Sequence, residues 1–212
     1  MIAVPRERIA YQAGLLGLVT LVVVSLLLLA DRLTAPAIAL RQAEDLRGSL
    51  TQIIPAELYD NDLLENRLEL ELDGLPVTVY QGRQGDRVTA LAWQLAGPGY
   101  AGDINLVMGV DRDGRILGVR VVSHSETPGL GDKIEVAKDP WILGFQGRSL
   151  GDPPPGQWAV KKDDGSFDQF TGATITPRAT VAIVKRGLRF FANHRQRLLD
   201  PGTLTTPQEN AP

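Results

Sequence analysis

The chain has 212 residues, enough for one domain of ordinary size and an appendage. Its 22 basic and 25 acidic residues leave a formal net charge of −3, which argues against nucleic acid as the main partner, since that would call for a basic face. With no cysteine, the chain excludes thiolate-bound iron–sulfur clusters, thioether-linked haem, disulfides and four-cysteine zinc sites, and its two histidines, His124 and His194, stand far apart. Redox chemistry on this chain would require an organic cofactor.

The first element is apolar. Residues 13–30, AGLLGLVTLVVVSLLLLA, carry no charge, and with residues 9–12 the run reaches the roughly 20 residues that span a hydrocarbon core. A cleaved signal peptide has a shorter apolar region followed by a small-residue cleavage site. Here the run is longer, and Asp31 and Arg32 follow it before Ala35 and Ala37, which favours an uncleaved membrane anchor. Arg6 and Arg8 precede the span and Arg32 and Arg41 follow it, so the positive-inside rule leans only slightly toward an inside N-terminus.

Residues 37–54 read as a helix, with Ile38, Ala43, Leu46, Leu50 and Ile53 near helical period and with Pro36 and Pro55 as brackets. It is expected to be a stalk that packs on the globular part. Strands follow. RLELEL, 67–72, alternates strictly, Asp73-Gly74 is a turn signal, and PVTVY resumes the extended pattern. VTALAWQLAG, 88–97, is a further strand with poorer alternation. INLVMGV and RILGVRVVSH flank DRDGR as a β-hairpin. DPPPG, 152–156, is a rigid loop. Thr176-Pro177 predicts a helix start with Thr176 as N-cap and Pro177 at the first helical position, followed by an apolar stripe of Val181, Val184, Leu188 and Phe191. The fold class is α+β: an anchor, a stalk, and an antiparallel sheet with at least one packed helix. Residues from about Pro201 onward read as an unstructured tail.

Two loops have the residue types for binding. DQFTGAT, 168–174, places Thr174 two residues before the predicted cap, where free backbone N–H groups and the helix dipole suit a phosphate. Gly172 and Ala173 would let a large group approach its hydroxyl. The same residues also fit an ordinary turn and cap. HSETPGLGDKIE, 124–135, is shaped by Pro128, Gly129 and Gly131, with Glu126, Thr127 and Leu130 offering an acceptor, a hydroxyl and an apolar contact. That mixture suits a flat heteroaromatic ligand, and equally a tight loop capped by Asp132. A hydrolase built on His124 and Ser125 is disfavoured, because adjacent strand residues point to opposite faces.

Taken together, these stretches resemble a known family. GYAGDI (99–104), DGRILGVRVVSHSETPGLGDKIE (113–135), WILGFQGRSL (141–150) and WAVKKDDGSFDQFTGATITPRATV (158–181) are similar to the G subunit of the Rnf (Rsx) electron transport complex. That protein is a relative of the C subunit of the sodium-pumping NADH:quinone reductase. With the N-terminal span, the similarity covers nearly the whole chain, and ETPGLG followed about 40 residues later by D-x-x-(S/T)-G-A-T is a specific pairing.

The resemblance implies FMN joined through its phosphate to the last threonine of that signature, Thr174, with Asp168, Thr171, Gly172 and Ala173 at its other positions. It implies a flavin transferase using FAD and Mg²⁺ as maturation partner, the other subunits of the complex as working partners, and an outward-facing domain on the bacterial inner membrane. Glu126, Thr127, Gly129, Leu130 and Gly131 are expected around the flavin ring. No catalytic acid/base set and no metal site is expected. The implied organisation is a short cytoplasmic tail and anchor over 1–33, a helical stalk over 34–56, an FMN-binding domain over 57–199 and a tail over 200–212. The expected function is electron relay in a complex coupling ferredoxin and NAD(H) chemistry to ion movement. The rival readings are a quinone-reductase C-type subunit and a membrane-anchored binding module without cofactor.

Overall fold

The computed structural model of the chain describes residues 6–200. The expected tail over 201–212 and residues 1–5 of the expected cytoplasmic tail lie outside the described residues. The chain divides into two compact units between Leu46 and Arg47.

Helix α1 runs Arg6–Ile53. Within it Ala10–Ile38 has a mean hydropathy of 2.7 and exposed side chains, so it is a candidate membrane span. At about 1.5 Å per residue such a stretch exceeds a hydrocarbon core of about 30 Å. Its apolar residues surround the helix instead of forming one stripe, as lipid contact requires. The break expected at Pro36 is absent, and the helix continues through it. A proline removes one backbone hydrogen bond and crowds the carbonyl four residues earlier. The flanking Leu, Ala, Arg and Gln residues are strong helix formers, and one lost bond does not stop such a helix. Of the predicted stalk stripe, Leu50 and Ile53 are buried and Ile38 is exposed. The side chain of Ala43 lies outside the described ones.

The second unit is built on an antiparallel five-stranded meander in sequence order: β1 Arg67–Leu72, β2 Leu75–Gln84, β3 Arg87–Pro98, β4 Asp103–Asp111 and β5 Ile116–Ser123. Leu68 and Leu70 of β1 are buried while Glu69 and Glu71 are exposed, as the alternation predicts. The β1–β2 turn places Asp73 and Gly74 at φ of 54° and 79°, the doubly left-handed pair a two-residue hairpin needs. The hairpin of β4 and β5 forms as expected.

Helix α2, Ile175–Leu198, packs on one face of β3 and β4. Leu91, Trp93 and Leu95 of β3 share that face, and the register sets Val110, Met108 and Leu106 of β4 beside them. Trp93 meets Phe190 of α2 edge-on, with ring centroids 5.6 Å apart. Gly187 permits the approach, since a Cβ there would lie 2.3 Å from Met108 Sδ and 2.6 Å from Leu95 Cδ1. The end of α1 covers the other face. A Cβ on Gly109 would lie 2.4 Å from Ile53 Cγ2, and one on Gly118 would also meet Ile53. Ala90 and Ala92 are buried there too. The weak alternation of β3 follows from this: both of its faces are covered, so its small inward residues are apolar as well.

Between β5 and α2 a long connection folds around an aromatic cluster. Phe145 stacks on Phe167 at 4.7 Å, Trp158 lies 5.1 Å from Phe167, and Trp141 lies 5.2 Å from Phe170. Phe167 and Phe170 are buried, and they pin the segment that leads into α2.

Candidate functional site

Two tight turns and the start of α2 meet at one pocket. In the first, Leu130 N–H donates to the Thr127 carbonyl at 3.1 Å, with Pro128 and Gly129 at the central positions and Gly129 at φ +77°. Pro then Gly is what a type II turn demands. In the second, Ala173 N–H donates to the Phe170 carbonyl at 3.1 Å, with Gly172 at φ +82°. That turn lifts Thr171–Ile175 outward between two buried residues, Phe170 and Thr176.

Helix α2 begins two residues earlier than the Thr-Pro pattern predicts. Its N-cap position is Thr174, whose side chain makes no capping hydrogen bond. Thr176, expected as the cap, instead lies in the first turn and is buried, and its hydroxyl donates to Glu126 Oε2. The other oxygen of Glu126 accepts the N–H groups of Tyr100 at 2.8 Å and Ala101 at 3.2 Å. Glu126 is only 4% exposed, so its burial is supported by three donors. Two glycines make room for it. A Cβ on Gly99 would lie 2.3 Å from Glu126 Oε1, and one on Gly131 would lie 2.8 Å from Thr176 Oγ1 and 2.9 Å from Glu126 Cβ.

The resulting pocket has a volume of about 270 Å³ and is lined by Tyr100, Glu126, Thr127, Leu130, Gly131, Gly172, Ala173, Thr174, Ile175 and Thr176. Seven of the ten expected residues line it: Glu126, Thr127, Leu130, Gly131, Gly172, Ala173 and Thr174. Gly129, Thr171 and Asp168 do not. Gly129 shapes its turn, and its N–H holds the Asp132 carboxyl below the usual carboxylate range, with Lys138 3.6 Å away adding to the effect. Thr171 is exposed. Asp168 is exposed as well and pairs with Lys161 Nζ at 2.6 Å, while its carbonyl accepts Trp141 Nε1–H at 2.9 Å. Tyr100, Ile175 and Thr176 are not singled out by the sequence as pocket residues. The glycines around Tyr100 in GYAG are the available signal, since Gly99 is there to admit Glu126.

The hydrolase reading has no geometric basis. His124 Nδ1 accepts the Glu126 N–H at 3.0 Å, and Nε2 lies 2.8 Å from Glu135 Oε1. Both ring nitrogens are thus engaged, and neither serves Ser125.

A bidentate pair braces the start of α2. Arg178 donates to both Asp163 oxygens at 2.6 and 2.9 Å, and this keeps the Asp163 carboxyl below its ordinary pKa. A depressed carboxyl stabilises the fold above its unfolded pKa of about 3.9 and loses that contribution as pH falls through the lower folded value. Asp163→Asn is therefore expected to be less stable than wild type at neutral pH, with the gap closing on acidification below about pH 4. Thermal denaturation of both proteins across that range checks it; a gap that widens toward acid would contradict the assignment.

The fold and the pocket define a class: an antiparallel-sheet binding domain behind, among the described residues, one apolar helix long enough to span a membrane. Residues 99–189, which include every pocket residue, match the family model of the FMN-binding domain. The chain is 54% identical to the G subunit of the ion-translocating oxidoreductase complex of Cereibacter sphaeroides, covering 88% of this chain and 86% of that protein. It is 47% identical to the protein of the same name from Pseudomonas aeruginosa, covering 95% and 97%. The chain belongs to the G-subunit family of Rnf-type ion-translocating oxidoreductase complexes. The crystal structure of NqrC from Shewanella oneidensis is similar at 23% identity over 68% of this chain and 73% of that one, with a TM-score of 0.47.

Proposed function

We propose that the chain is the electron-relay subunit of an inner-membrane ion-translocating complex and that it holds FMN as a phosphoester on Thr174. The observation that carries this reading is the uncapped Thr174 hydroxyl at the start of α2, on the wall of a pocket inside the FMN-binding domain. When bound, FMN supplies one- and two-electron chemistry that no side chain offers.

The chain's own residues supply position. The Gly172 turn lifts Thr174 clear of the core, and Gly172 and Ala173 leave its hydroxyl open to a bulky donor. The first N–H groups of α2 and the helix dipole favour a phosphate at that place. Leu130 and Tyr100 offer apolar and aromatic surface for a planar ring. Ligand pockets usually measure about 300–1,000 Å³, and this one, at about 270 Å³, lies just below that range. A covalent tether makes deep enclosure unnecessary and leaves the ring near the surface, where partner cofactors can approach.

Attachment calls for a flavin transferase as partner. The Thr174 Oγ–H bond gives way to an Oγ–P bond, FAD loses AMP, and the hydroxyl proton passes to a base on the transferase. The working partners are the other subunits of the complex, which couples ferredoxin and NAD(H) chemistry to ion movement. In this reading residues 1–33 contain the membrane anchor, 34–56 form the stalk, and 57–199 form the flavin domain on the periplasmic side.

The test is co-expression with a flavin transferase, a denaturing gel read for flavin fluorescence, and mass spectrometry of the peptide holding Thr174. The expected result is a fluorescent band and one FMN ester on that peptide. A dark band, while the transferase labels a control protein, overturns the reading in favour of a binding module without cofactor. Thr171→Ala is expected to weaken labelling only partly, because Thr171 is exposed and lies outside the pocket. Complete loss in that variant would shift the attachment point into doubt.

A further inference from the structure

We propose that Glu126 is a latch that sets the position of the Thr174 hydroxyl, and so a positioning residue for flavin attachment and not a flavin ligand. The proposal rests on Thr174 being the attachment point. Three separate segments meet on this one carboxylate: the 99–101 turn through the N–H groups of Tyr100 and Ala101, its own loop, and the first turn of α2 through the Thr176 hydroxyl. Gly99 and Gly131 give up their side chains to admit it, so the packing is built around the carboxylate. Glu126 is buried and both of its oxygens accept from the protein, which leaves it poorly placed to serve a ring as an acceptor. Its reach to α2 falls on the residue two places after Thr174. The Thr176 bond therefore ties the register of the helix start, and with it the direction of the Thr174 hydroxyl, to the wall formed by Tyr100.

Such a latch couples places that do not touch. Breaking the Thr176 bond should free the 99–101 turn, although Thr176 itself makes no bond to that turn. A merely local role for Thr176 has no such consequence. Loss of a hydrogen bond to a charged group is worth about one decade or more in an opening equilibrium, and a reacting hydroxyl displaced by about 1 Å costs up to two decades in rate.

The test uses the full chain in detergent without flavin, followed by in vitro labelling with purified transferase and FAD. Amide hydrogen exchange is read at Tyr100 and Ala101. In Thr176→Val both amides are expected to exchange about tenfold faster or more, and Thr176→Ser, which keeps the hydroxyl, is expected to restore wild-type protection. The labelling rate is expected to fall about tenfold or more in Thr176→Val with the KM for FAD unchanged, and to recover in Thr176→Ser. Wild-type exchange at Tyr100 and Ala101 in Thr176→Val overturns the latch, and so does wild-type labelling. Thr174→Ala is run alongside. If wild type takes no label, or if Thr174→Ala still takes it, the attachment reading fails, and the latch is judged on the exchange data alone.

Discussion

Thr174→Ala is expected to remove covalent flavin completely while leaving the fold intact. The hydroxyl is the only atom lost that could form the ester, and its side chain makes no capping bond whose loss would weaken α2. Replacing a threonine that does cap costs about 1 kcal/mol; here that cost is absent. The expected readout is a dark band on a denaturing gel, an unmodified peptide by mass spectrometry, and a thermal midpoint close to that of unmodified wild type. Fluorescence that persists in the band would move the attachment elsewhere in the chain. Thr174→Ser is the matching control, since it keeps the nucleophilic oxygen at the same backbone position and should still be labelled.

The largest effect on stability is expected at Trp93. Its side chain is fully buried between the sheet and α2, against Phe190, and Trp93→Ala would leave a cavity that neither element can collapse into. Such truncations cost about 3–5 kcal/mol, a large part of the roughly 5–15 kcal/mol that holds a domain folded. Trp93→Phe should cost far less, about 1–2 kcal/mol, because part of the volume is kept. The indole Nε1 also has no hydrogen-bond partner, so the phenyl ring sacrifices no bond and removes a buried unpaired donor. Urea denaturation of the detergent-solubilised chain reads both variants, with Trp141 and Trp158 still reporting by fluorescence. Equal destabilisation by Ala and Phe would show that the ring matters for its nitrogen and not for its volume.

Much of the architecture was legible in the residue order, for local reasons. RLELEL alternates because one of its faces is wet, and the Asp-Gly turns mark places where the backbone must enter the left-handed region. The apolar run of α1 is plain because no soluble packing would need it. The signals that misled were also local. Pro36 reads as a boundary, but its strongly helical neighbours carry the helix through. Thr176-Pro177 reads as cap and first residue, yet the Thr176 hydroxyl has a stronger use, as a buried donor to Glu126, which is 50 residues away in the chain. No window of sequence contains that competition.

The candidate site divides in the same way. Gly129 and Gly172 were visible as glycines near a pocket, and their φ angles account for them as turn residues. Tyr100 went unassigned because the glycines beside it read as an ordinary turn until the structure shows that Gly99 makes room for Glu126, whose carboxyl accepts the Tyr100 N–H.

The sequence by itself determined the single apolar span, the sheet-and-helix class, and the two motif-bearing loops, because each depends on periodicity, turn chemistry or residue type within a short stretch. Only the tertiary structure decided that those loops share one wall with Tyr100, that Thr174 and not Thr176 opens α2, and that Glu126 joins the three segments. Those facts arise where distant parts of the chain compete for the same buried donors and acceptors, and that competition is settled by packing in three dimensions.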